Sequence, residues 1–165
     1  MGKFSFRYLR VEELEQQLPQ VFDILYTNMT ALAPSGESYQ DDRRMWESYI
    51  VPALKAGSVQ LLLMFAEENL AGYAQYSLRE NTLLMDEVEI KPEYQRTMLF
   101  YRFCQYMMGM IPEEICYIES YVNKKNQNSL SIHSKLGLTI VGESRSGSSW
   151  RMRGEKDLLV SRFNR

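Results

Sequence analysis

Asp86-Glu87-Val88-Glu89-Ile90-Lys91-Pro92-Glu93-Tyr94-Gln95-Arg96 leads from a strand through a proline turn into a helix. Alternation along the strand sends Asp86 to one face and Glu87 with Glu89 to the other. Beyond Pro92, the pairs Leu99/Phe100, Phe103/Cys104 and Met107/Met108, then Ile111, recur at helical spacing until Pro112 stops the helix. Upstream, Val59 to Ala66, Leu70 to Leu78 and Thr82 to Ile90 are strand-like runs, separated by the turns Glu67-Glu68-Asn69 and Arg79-Glu80-Asn81. Such short connections predict an antiparallel meander. Before it come a first strand (Phe4, Phe6, Tyr8), an amphipathic helix from Val11 through Leu14, Leu18, Val21, Leu25 and Met29, and a second helix from about Tyr39 to Leu54 with Gly57 as its stop. Downstream, Ile115 to Val122 reads as a strand, Asn126 to Leu136 as a short helix ended by Gly137, and Leu138 to Val141 as a strand. The tail reads as β from Leu158 to Phe163, with Gly147 the turn of a hairpin. The sum is an α/β (α+β) domain, single over residues 1–165, with a mixed, mostly antiparallel sheet flanked by helices.

Composition narrows the function. A chain of 165 residues removes close to 70% of its unfolded surface from water, so it needs neither a disulfide nor a structural metal. With 45% hydrophobic and 24% charged residues it is globular rather than disordered. Its 19 basic and 21 acidic residues leave a net charge of -2 without a concentrated basic surface, which argues against a nucleic-acid partner. The longest purely apolar stretch, Leu61 to Ala66, falls far short of the roughly 20 residues that cross a bilayer, so no membrane association is expected. The start lacks the apolar core of a secretory signal, and a cytoplasmic protein is expected. Cys104 and Cys116 are the only cysteines and His133 the sole histidine, which disfavours zinc and predicts packed, reduced thiols. No Gly-x-Gly pair occurs, so the Rossmann fingerprint and the P-loop are absent.

Three features could carry chemistry. The helix after Pro92 presents unpaired N–H groups and a positive dipole end to an anion. Asn126, Ser129 and His133, at i, i+3 and i+7, share one helical face. An imidazole titrating near 6.5 is a better acid than a phenol near 10, although a lone helical histidine is often an ordinary half-buried residue. Asp86, Glu87 and Glu89 bring carboxylates to one strand; for Glu89 a solvated strand face is the preferred reading. A Ser129–His133 nucleophilic pair has no orienting carboxylate assignable from spacing.

Val88-x-Ile90-x-Pro92-Glu93-Tyr94-Gln95 followed by a helix resembles the acyl-CoA-binding segment of GCN5-related N-acetyltransferases (GNAT). Asn126 to Leu138, including Lys135-Leu136-Gly137-Leu138, with Val141-Gly142-Glu143 behind it, resembles that family's second motif, in which an Asn, a small residue, a Tyr and Lys-Leu-Gly-Phe hold the same offsets. The element order agrees over nearly the whole chain. Two departures stand out. Where the family usually has Gln-x-x-Gly-x-Gly or Ala, this chain has Gln95-Arg96-Thr97-Met98-Leu99-Phe100, and His133 occupies the usual Tyr position.

The resemblance implies that the main chain from Gln95 through Arg96, Thr97, Met98, Leu99 and Phe100 holds the CoA pyrophosphate, with Arg96 and Thr97 as phosphate contacts. It implies that the backbone of Val88 and Ile90 pairs with the pantetheine arm as an added strand. Asn126, with Ser129 beside it, would serve the same arm. Asp86 and Glu87 would remove a proton from the attacking amine, directly or through water, and His133 would protonate the departing thiolate. Tyr26, Tyr39, Trp46, Tyr73 and Tyr76 lie in the regions that usually wall the acceptor cleft. The implied function is transfer of an acetyl or other short acyl group from acetyl-CoA or a related acyl-CoA to a primary amine on a small molecule or peptide, by direct attack and without a metal. Many relatives form homodimers. The rival reading is a catalytically impaired module of the same fold that senses acyl-CoA or a small ligand, motivated by the absent glycines and the missing Tyr.

Overall fold

A computed structural model describes residues 3–163. Seven strands, β1 (Phe4–Tyr8), β2 (Gln60–Ala66), β3 (Asn69–Arg79), β4 (Thr82–Ile90), β5 (Tyr117–Asn123), β6 (Thr139–Glu143) and β7 (Ser149–Glu155), form one sheet in the order β1-β2-β3-β4-β5-β7-β6. The helices are α1 (Leu14–Leu32), α2 (Tyr39–Lys55), α3 (Leu99–Met110), α4 (Gln127–Leu136) and α5 (Lys156–Phe163). The β4–β5 pair is parallel; β1–β2, β2–β3, β5–β7 and β6–β7 are antiparallel. The described chain divides into two compact units, residues 3–76 with 87–100, and residues 77–86 with 101–163.

In the first unit the long apolar run becomes β2. Leu61, Leu62, Leu63 and Met64 are each at most 1% exposed, so both faces of this strand are covered and the run need not alternate. Leu61, Leu63 and Tyr73 pack against Val21 and Ile24 of α1, and Leu14, Leu18, Ile50 and Val59 form an adjoining cluster between α1 and α2. The Ser38 hydroxyl caps α2 by accepting from the Asp41 N–H at 3.2 Å. Asp41 and Asp42 in its first turn and Lys55 in its last suit the helix dipole. Gly72 of β3 is fixed by crowding rather than by its torsions. A Cβ there would lie 2.6 Å from the Glu89 carbonyl oxygen, so only glycine lets the two backbones approach this closely.

In the second unit β7 runs between β5 and β6, burying Met152 and Gly154 while Arg151 and Arg153 remain half-buried. The Arg153 guanidinium stacks 3.8 Å above the Tyr117 ring and sits 3.6 Å from the Glu119 carboxylate. The tail corrects the sequence expectation. Residues Leu158 to Phe163 are helical, not β: Leu159 and Phe163, four apart, are buried while Leu158 is 54% exposed. The apolar run Leu158-Leu159-Val160 imitates a strand, but Asp157 in the first turn and the spacing of the two buried residues fit a helix. The hairpin at Gly147 is real, and its returning strand is β7, whose alternation of Trp150, Met152 and Gly154 is disguised by the intervening arginines. Val11 also differs. It is half exposed in a 3-10 turn, Val11–Glu13, that precedes α1.

Candidate active site

On β4, Glu89 is reached by Asn28 of α1 and Glu87 by Tyr73 of β3. Tyr73, fully buried on β3, donates its hydroxyl proton to Glu87 Oε2 at 2.6 Å. Burial, then the charge and hydrogen bond of Glu87, then the charge of Glu89, push the Tyr73 hydroxyl well above the ordinary phenol range, so it stays a donor. Glu89 is half-buried, not solvated as its strand position suggested. Asn28 Nδ2 of α1 donates to its Oε2 at 2.6 Å. Burial raises the Glu89 carboxyl above the ordinary carboxylate range, against the lowering effect of that hydrogen bond. Asp86 and Val88 are half-buried, and Ile90 is buried. The Ile90 carbonyl accepts from Asn28 Nδ2 at 3.1 Å and from Gln95 Nε2 at 3.0 Å, and the Lys91 N–H ties the strand end to the Ala71 carbonyl at 2.9 Å.

The following turn is orderly without its glycines. Pro92–Tyr94 is a 3-10 turn, and the N–H groups of Gln95 and Thr97 close onto the carbonyls of Pro92 and Tyr94. The Thr97 hydroxyl donates to the Tyr94 carbonyl at 2.7 Å and accepts from the Leu99 N–H at 3.2 Å, so it shapes the helix start. Gln95 uses its amide on Ile90. Among the described residues the N–H groups of Arg96 and Met98 have no protein partner, and the Arg96 side chain is exposed. The Met98 side chain is 50% exposed, Leu99 is fully buried in the core, and Phe100 is half-buried.

In the second unit, Asn126 caps α4: its Oδ1 accepts from the Ser129 N–H at 3.0 Å, and its Nδ2 has no partner among the described residues. His133 Nδ1 lies 2.8 Å from the Ser129 carbonyl. A carbonyl only accepts, so in the neutral ring the proton is on Nδ1, and Nε2 accepts from the Ser120 hydroxyl at 3.2 Å. The Ser129 hydroxyl is 3.3 Å from Nδ1. Burial lowers the His133 pKa below the ordinary imidazole value, partly offset by the Ser129 bond.

Most of the expected acceptor-wall aromatics have partners of their own. Tyr26, Tyr39, Trp46 and Phe22 pack ring to ring with centroids 4.9–5.9 Å apart, joining α1 to α2. The Tyr39 hydroxyl donates to Asp23, and Tyr76 bonds Tyr8 through their hydroxyls at 2.6 Å. Two surface recesses, of about 320 and 420 Å³, lie elsewhere: neither is lined by the β4 carboxylates or the Gln95 turn. Cys104 is buried, which pushes its thiol up to about 12 and removes it as a nucleophile, whereas Cys116 is exposed rather than packed. Among the described residues no three His, Cys, Asp or Glu are grouped to hold a metal, and no helix is long and apolar enough to cross a membrane.

The meander, the β4–turn–α3 passage and the β5–α4–β6–β7 tail define the acyl-CoA N-acyltransferase, or GNAT, fold. Solved structures bear this out. The chain is similar to the PaiA N-acetyltransferase of Thermoplasma acidophilum, solved in complex with coenzyme A, at a TM-score of 0.71 and 19% identity over 93% of this chain and 99% of that one. An acetyltransferase of Thermus thermophilus gives a TM-score of 0.72 at 14% identity, over 94% and 99% of the two chains. Spermidine N-acetyltransferase of Vibrio cholerae, in complex with CoA and spermine, gives 0.66 at 14% identity, over 95% and 98%. No family model and no curated protein sequence matches the chain.

Proposed function

We propose that this chain is an N-acyltransferase that moves an acetyl or other short acyl group from acyl-CoA to a primary amine. The observation that carries the reading is the hydrogen bond from the buried Tyr73 hydroxyl to Glu87 on β4, with Glu89 on the same face. An ammonium cannot attack a carbonyl, so the reaction needs a group that takes its proton. Glu87 does so, directly or through a water, while Tyr73 holds the carboxylate in one orientation. Two carboxylates in a partly desolvated site also favour a cationic acceptor over a neutral one.

The chain's donors fit a diphosphate: the N–H groups of Arg96 and Met98 lie at a helix start, and the Arg96 guanidinium is free to approach an anion. Because the Ile90 carbonyl is occupied by two side-chain amides, strand-like pairing with a pantetheine arm falls to the peptide groups of Val88. Asn126 keeps its Nδ2 for donation. Bound acyl-CoA supplies a thioester carbonyl activated toward the amine. Neutral His133 carries no proton on Nε2, so protonating a thiolate from there requires the imidazolium, which burial disfavours.

Thermal shift with acetyl-CoA tests the first step, since a ligand at 100 times its Kd adds about 2.7 kcal/mol of stability. Binding followed by free-thiol release with members of an amine panel is the expected result. No shift with acetyl-CoA or longer acyl-CoAs overturns the reading; a shift without release from any amine supports a binding module instead.

A further inference from the structure

We infer that Asn28 is a positioning residue that ties the carboxylate end of β4 to α1 and, through the Ile90 carbonyl it shares with Gln95, to the turn before α3. The inference rests on the transferase reading for its catalytic meaning. Asparagine is a weak helix former because its amide competes for backbone groups. Asn28 nevertheless sits within α1 with its amide engaged outside that helix. Nδ2 donates to Glu89 Oε2 at 2.6 Å and to the Ile90 carbonyl at 3.1 Å, using both of its hydrogens. Gln95 Nε2 fills the second lone pair of the same carbonyl at 3.0 Å. One peptide oxygen thus holds two side chains, one 62 residues upstream and the other five downstream. A shift of α1 would disturb Glu89 and the turn together.

Charge gives the joint a chemical role. Among the described residues, Tyr73 of β3 feels the charges of both Glu89 and Glu87, which lies two residues away on the same strand, while α1 contributes the neutral Asn28. Burial favours the protonated Glu89 carboxyl; Asn28 favours the ionised one.

The test uses the full chain carrying Asn28→Leu, which is nearly isosteric and a better helix former, with Asn28→Ala as a second variant. A carbon-13 NMR titration of the Glu89 carboxyl should move up by about one pH unit. KM for acyl-CoA should rise a few-fold, with both variants still folded by circular dichroism. Gln95→Ala should raise that KM by a similar factor and leave the Glu89 titration unmoved. An unmoved Glu89 titration in a folded Asn28 variant overturns the inference. The NMR readout needs no turnover: a wild type that binds no acyl-CoA sinks the transferase reading, and the titration still decides the role of Asn28.

Discussion

Glu89 and His133 are both half-buried, each held by one strong hydrogen bond, and burial acts on them in opposite directions. It raises the acid and lowers the base, so both drift toward their neutral forms. At the end of β4 this makes a carboxylate hold its proton more tightly than an ordinary one. On α4 it leaves an imidazole whose proton is locked on Nδ1 against a carbonyl. The comparison teaches that the same desolvation raises proton affinity at Glu89 and lowers it at His133.

The largest effect should separate the two regions directly. Glu87→Gln is expected to lower kcat about 10²–10³-fold in a free-thiol assay, the scale of a lost general base. His133→Ala should cost less than about tenfold, with acyl-CoA affinity by calorimetry nearly unchanged. A His133 loss equal to that of Glu87 would reverse the ranking and restore the imidazole as the thiolate acid. Next in size, Tyr73→Phe removes one hydrogen bond to a carboxylate and should destabilise the fold by about 1–3 kcal/mol in urea titration. A neutral result would mean Glu87 finds another donor.

The pH dependence of stability sharpens the contrast. Glu89 binds its proton more tightly folded than unfolded, so its contribution is complete below the ordinary carboxylate value near 4.3 and declines as pH rises through the folded one. Glu89→Gln should therefore gain on wild type at pH 8 and lose that advantage by pH 4. His133 has the opposite sign: its contribution is present above about 6.5 and is lost as pH falls through the lowered folded value. His133→Gln should flatten that acid-side loss in melting temperature. Parallel slopes for the two wild-type residues would contradict the comparison.

Much of the fold was legible because its signals are local. The β2–β4 meander follows from apolar runs broken by two short turns, and the extent of α2 from the run after Tyr39 with Gly57 as its stop. The tail was not, since three consecutive apolar residues fit a strand as well as a helix, and arginines masked β7. At the site, Glu87 and Asn126 stand out by their motif positions. Asn28 could not, because its partner Glu89 lies 61 residues away and nothing in either sequence neighbourhood announces the pairing. Glu89 was misjudged for the same reason: alternation gives its face, but not that α1 covers it. Thr97 has a residue type suited to phosphate, and only the coordinates reveal that its hydroxyl is engaged within the turn.

Gly72 gives the protein a mechanical adjustment that leaves its acids and bases alone. With the Glu89 oxygen only 2.6 Å from where a methyl would sit, Gly72→Ala acts as a wedge driven between neighbouring ribbons, and either the sheet parts locally or the fold yields. The spacing between β3 and the Glu89 stretch of β4 thus depends on a side chain no larger than a hydrogen atom at position 72.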